Sequence, residues 1–132
     1  MRSCLLAAAV LGSGLCGCRR APEAVVGGLY SVRDDQGLYR VAKVVAVDPD
    51  GIHVRLYQNR WKRRPQGLGA APLTLGTVND ADGFGIGHMA LSREEFSGWK
   101  PAFLRREDIS PDESAGTEAW RRGRRGDLLG GH

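Results

Sequence analysis

The chain has 132 residues, enough for one domain built around a single modest core. Hydrophobic residues make up 42% of it and charged residues 26%, a balance that excludes global disorder. Nineteen Lys+Arg against fifteen Asp+Glu leave a net charge of +4, which favours anionic surfaces but is too weak to mark a nucleic-acid binder.

In chain order, Arg2 supplies a short positive segment and Cys4 to Leu11 an apolar run too short to span a bilayer. Small residues follow at Gly12, Ser13 and Gly14. This is the layout of a secretory signal peptide, and it is set aside from the fold argument. Leu15-Cys16-Gly17-Cys18 then resembles the bacterial lipobox, in which one branched apolar and two small residues precede a lipidated cysteine. Cys16 stands where alanine, serine or threonine is usual. Taking Cys16 itself as acceptor places Leu15 next to the cut, which a small-residue peptidase pocket rejects.

The resemblance implies removal of residues 1–17 and acylation of Cys18 with more than one fatty chain. At about 0.8 kcal/mol per buried methylene, that gives lasting membrane attachment. Cys18 is then the only cysteine of the mature chain, which rules out both a disulfide and thiol catalysis. The competing readings are an ordinary cleaved signal with a free Cys18 and a metal-binding CxC. The latter lacks a further cysteine or nearby histidine to complete a ligand set. Arg19, in place of the aspartate associated with inner-membrane retention, favours the outer membrane where the source has two.

Residues 18–27 form the lipidated tether, ended by Pro22 and the Gly27-Gly28 pair. Leu29 to Arg33 is a short predicted strand, Asp34 to Gly37 a turn, and Leu38 to Val47 a long strand rich in β-branched residues. Asp48-Pro49-Asp50-Gly51 suits a type I turn. Ile52 to Trp61 alternates, with Ile52, Val54 and Leu56 on one face and His53, Arg55 and Tyr57 on the other. These two strands are expected to form a hairpin.

Lys62 to Pro72 reads as a Gly/Pro/basic loop, Leu73 to Val78 as a strand and Asn79 to Gly83 as a turn. In Gly83 to Ala90, alternation sets Gly83, Gly85 and Gly87 against Phe84, Ile86 and His88. A bare glycine face accepts a close neighbour. Ser92-Arg93-Glu94-Glu95 and Ser110-Pro111-Asp112-Glu113 both have capping-box spacing and start helices. The first buries Phe96 and Trp99 and stops at Pro101; the second carries Trp120 and frays from Gly123. Ala102 to Arg105 returns as a last strand between them.

This succession of strands resembles the SH3-like small barrels, nearest in pattern to the Tudor/Agenet kind, over residues 28–61 and 102–109. The fold class expected is mainly β with short helices, an SH3-like domain over residues 28–122 and a flexible Gly/Arg tail over 123–132. Tudor domains that read methylated residues use an aromatic cage. Tyr30, Tyr39, Tyr57 and Trp61 stand in the corresponding region.

Motifs for catalysis and metal binding stay incomplete. Asp80 and Asp82 begin a calcium-loop pattern, but its fifth position falls on Phe84 and its twelfth on Leu91. GFGIGH misses the third glycine of a phosphate loop, where His88 stands. His53, His88 and His132 have no metal-ligand spacing, and no serine has a recognisable base. No metal, cofactor or nucleic acid is expected.

Two basic clusters, Arg60 to Arg64 and Arg121 to Arg125, can rest on lipid phosphates, bind an acidic partner, or form a plain solvated face. The sequence therefore points to an exported, membrane-anchored envelope lipoprotein, non-catalytic, acting as a binding or structural module. Its expected partners are the membrane through Cys18 and a protein or anionic envelope component. Tyr39, Tyr57, Trp61, Arg63 and His88 are the candidate contact residues. The alternatives are a periplasmic inhibitor or immunity-type protein using Gly83–His88, and a small hydrolase around His88 and Asp82.

Overall fold

Alternation in the strands and local capping at the two helices dictate the architecture. A computed structural model describes residues 23–69, 72–76 and 84–128, with side chains as far as Arg124. The expectations placed on residues 1–22 (Cys18 included), on the Asn79–Gly83 turn with Asp80 and Asp82, and on His132 lie outside the described residues.

Strand β1 is Gly28–Arg33, β2 Tyr39–Asp48, β3 Gly51–Leu56, β4 Ile86–Leu91 and β5 Ala102–Arg106. Helix α1 (Arg93–Gly98) lies between β4 and β5, and α2 (Pro111–Leu128) follows β5. The five strands form one antiparallel sheet in the order β4-β3-β2-β1-β5. The domain is thus mainly β, with the strand order of an SH3-like small barrel. Register shifts at Leu29/Tyr30, Val44/Ala46 and Val54/Leu56 bend the sheet, as one extra residue on one side of a ladder does.

The hairpin pairs Asp48 with Gly51 and Ala42 with Leu56, as alternation and the turn predict. Its second strand is shorter than expected, ending at Leu56. Past that point, Tyr39 and Trp61 meet only as an isolated bridge, while Gln58 N–H turns to Thr74 O at 2.8 Å. The segment expected as a strand from Leu73 is irregular over its described part, residues 72–76. Gly85 explains the turn-off: a Cβ there would collide with the carbonyl of Leu56, so only glycine lets the chain enter β4 this close to β3.

Both faces of the sheet are covered. Tyr30, Val32, Ala42, Val44, Ile52, Val54 and Leu56 pack on one side around Phe96 of α1. The Ser92 capping box is complete, with Ser92 Oγ accepting from Glu95 N–H and Glu95 Oε1 accepting from Ser92 N–H. Leu29, Val41, Tyr57 and Leu68 form a second cluster on the other side. Helix α2 starts on a second reciprocal cap, Ser110 with Glu113. It is helical to Leu128, past Gly123, and Arg121 and Arg124 reach across to Asp48 and Asp50 at the β2–β3 turn.

Candidate functional site

Helix α2 meets the sheet across a polar seam. Strands β2 and β3 turn Lys43, His53 and Arg55 to the side opposite Phe96, as the alternation requires, and Tyr57 just beyond β3 joins them. Helix α2 answers with Glu113, Gly116, Thr117, Trp120, Arg121 and Arg124, spaced three and four residues apart along one face.

At one end of the seam, buried Lys43 donates from Nζ to Asp108 O (2.6 Å) and to Glu113 Oε1 (2.9 Å). Tyr57 Oη donates to Glu113 Oε2 at 3.4 Å. Burial pushes the Glu113 carboxyl up, but the Ser110 N–H, Lys43 and Arg55 outweigh it and hold the group below its ordinary value. Burial, with Glu113 close by, pushes the Tyr57 hydroxyl up to about 12. Tyr57 therefore acts there as a neutral hydrogen-bond donor.

At the other end lies a relay of side chains. His53 has no exposed surface; its Nε2 is 2.8 Å from Asp48 Oδ2 and its Nδ1 is 2.9 Å from His88 Nε2. Arg121 pairs with the same Asp48 carboxylate from α2. The His53 and His88 rings lie edge to edge through the bond between them, 23° from coplanar with centroids 5.1 Å apart, and His53 and Trp120 meet at a steep angle with centroids 4.8 Å apart. The Arg121 hydrogen bond is the main reason that Asp48 is held below the ordinary carboxylate range; burial opposes it and His53 adds to it. An ionised Asp48 fixes the tautomers. His53 donates from Nε2, so in the neutral pair its Nδ1 accepts from His88 Nε2–H. Burial, and then the neighbouring His53, pull the His88 pKa down.

The two imidazole nitrogens face each other instead of converging on a common point. Among the described residues, no group of three or more His, Cys, Asp or Glu is arranged to hold a metal ion. The Gly116 backbone closes over His88, where an added Cβ would lie 2.6 Å from His88 Cβ. The relay thus joins sheet to helix.

The opposite face carries an open concavity of about 450 Å³. It is lined by apolar Val32, Leu56 and Trp99 and by charged Arg33, Asp34, Asp35 and Arg40. Arg40 is buried and donates from Nε and Nη2 to Tyr57 O at 3.0 and 2.8 Å. Burial, reinforced by Arg60, pulls its pKa down. Asp34 holds the β1–β2 turn in shape by accepting from Gln36 and Leu38 N–H, both at 2.9 Å.

The residues named from sequence are divided among these regions. Tyr57 is buried in the seam, 7% exposed, and Trp61 packs against its cluster. Tyr39 is paired with Trp61 through the backbone and lies beneath the guanidinium of Arg64, 4.7 Å from the ring centroid. Tyr30 sits edge-on to Phe96 in the other core, so the four aromatics do not close on a common cage. Arg63 is exposed. His88 joins the relay.

Of the two basic clusters, Arg64 is tied to Ser31 and Lys100, and Arg121 and Arg124 to the hairpin turn. Sequence reasoning missed Asp48, His53, Arg121 and the concavity around Trp99. The three-and-four spacing from Glu113 to Arg124 marks the seam, but that face is polar and offers no apolar stripe to follow.

A search of protein-family models, curated proteins and solved structures finds no match to this chain.

Proposed function

We propose that the protein is an exported lipoprotein, anchored in the bacterial envelope through Cys18, whose β-domain is a non-catalytic binding module. The anchor reading rests on Leu15-Cys16-Gly17-Cys18 following a short apolar run. The observation that carries the binding reading is the open concavity beside α1. It joins an apolar lining of Val32, Leu56 and Trp99 to carboxylates and guanidinium groups. That combination suits a partner segment presenting an apolar side chain flanked by charge. The His53–His88–Asp48 relay, by contrast, is engaged in holding α2.

Two measurements test the proposal. Mass spectrometry of the mature N-terminus is expected to find acylated Cys18, and Cys18→Ser is expected to move the protein out of the detergent phase on phase partitioning. A photo-crosslinker at exposed Asp35 is expected to capture one discrete partner in intact envelopes, whereas one at exposed Glu118 is not. An unmodified Cys18 overturns the anchor, and indistinguishable crosslinking from both positions overturns the binding site.

The inhibitor reading has its own support. Phe84 and Ile86 are exposed large apolar residues leading into the edge strand β4. Crosslinks from position 84 to a soluble enzyme whose activity falls on binding would replace the first reading with this one.

A further inference from the structure

A third group of exposed apolar side chains surrounds the place where the described chain begins. Val25 and Val26 are 40% and 42% exposed, and Phe103 on the edge strand β5 is 54% exposed. Val25 and Phe103 meet at Gly28, where an added Cβ would lie 2.9 Å from Val25 O. Phe103 stands edge-on to Tyr30 at 5.5 Å, and its ring edge would lie 3.3 Å from a Cβ on Gly28. Arg106 Nε donates to Val26 O at 3.2 Å.

The segment is pinned to the sheet. Val25 N–H donates to Tyr30 Oη at 2.9 Å, and Tyr30 Oη donates to Glu23 O at 3.2 Å. Gly27 N–H donates to Val44 O at 2.7 Å and Glu107 N–H to Gly27 O at 2.8 Å. The point from which the chain leads back to its N-terminus is therefore fixed beside Phe103.

Only four residues lie between Cys18 and Glu23. Fully extended, the five steps from one to the other reach at most about 18 Å. A cysteine acylated there sets the domain down with this end against the bilayer.

We infer that Val25, Val26 and Phe103 form a membrane-seating surface that enters the headgroup layer of the bilayer holding the lipid anchor. The inference rests on the anchor proposed above. Apolar contact carries the seating: Arg105 is paired with Glu107 at 2.7 Å, and Arg106 Nε is bonded to Val26 O at 3.2 Å. Seating is therefore expected on zwitterionic lipid, with anionic lipid adding the attraction of Arg19 and Arg20 beside the anchor. Seating only on anionic lipid would assign the contact to these arginines and overturn the inference.

The test uses the full mature protein purified from envelopes and placed in lipid nanodiscs carrying gadolinium on a fraction of the headgroups. Amides of residues 25–28 and 103–106 are expected to broaden severalfold more than those of residues 111–124 in α2. The double variant Val26→Ser/Phe103→Ser, altered only at exposed positions, is expected to keep its anchor and fold and to weaken that contrast severalfold, to what the tether alone imposes; an unchanged contrast overturns the inference. Even broadening across the domain, strongest broadening at α2, or a self-association that buries Phe103 overturns the inference.

The mass of the N-terminal peptide reports the anchor separately. A chain found unacylated is coupled at Cys18 to a maleimide-headgroup lipid and measured in the same way. A missing acyl group then refutes the anchor, while the broadening pattern still decides the surface.

Discussion

His53 is held on three sides, by Asp48 from the hairpin turn, His88 from the neighbouring strand and Trp120 from the helix. Burial, and then His53 beside it, make His88 bind its proton less readily in the folded chain than in the unfolded one. Between its folded value and the ordinary histidine value of about 6.5, the unfolded state carries more protons, so stability rises with pH through that window. It is complete above the window and lost as pH falls through it. Asp48 and Glu113, both held below their ordinary values, lose stability in the same direction at lower pH. His88→Gln keeps a donor for His53 Nδ1 and cannot titrate. Urea unfolding between pH 7.5 and 5.5 is expected to show a clear fall in stability for the wild type and a shallower one for His88→Gln. Equal slopes would remove His88 from the account.

Helix α2 contains glycines whose surroundings differ. Gly116 lies against His88, where a Cβ meets His88 Cβ at 2.6 Å, while Gly123 has nothing within 4 Å. Alanine in a helix interior is favoured over glycine by about 1 kcal/mol. Gly123→Ala is therefore expected to stabilise by about that amount. Gly116→Ala adds the same propensity but overpacks the seam at a cost of about 1–3 kcal/mol, giving no gain or a net loss. Chemical denaturation of the pair separates the two effects, and a Gly116→Ala protein stabilised as much as Gly123→Ala contradicts the close packing. Both helix starts were legible in the sequence because a capping box is a four-residue signal. The length of α2 was not, since the ion pairs that hold its second half join residues 73 and 74 positions apart.

At the scale of the whole molecule, the sheet order follows from nearest-neighbour hairpins plus a last strand returning to β1, and strand alternation revealed most of it. The seam was hidden for a different reason. His53 and His88 are 35 residues apart, and Lys43 and Glu113 are 70 apart, so none of these pairs has a spacing to read. The concavity was hidden likewise, since Val32, Leu56 and Trp99 come from three separate elements. Because polar groups join α2 to the sheet while apolar side chains hold the sheet to α1, the two layers respond differently to acid. Hydrogen exchange corrected for intrinsic rates is expected to show α2 losing protection between pH 7.5 and 5.5 before β2 and β3 do. Simultaneous loss in all three would mean that the helix is no separate cooperative unit.

The Asp48 carboxylate also imposes a sequence of events on folding. Its bond to His53 closes within five residues, while its bond to Arg121 must wait for a loop of more than seventy to come together. A chain emerging N-terminus first completes its central hairpin early, and that hairpin then waits with a charged hook at its tip. The α2 segment follows the hairpin and is the one the hook catches, so this helix serves as a latch that only a correctly registered hairpin can receive.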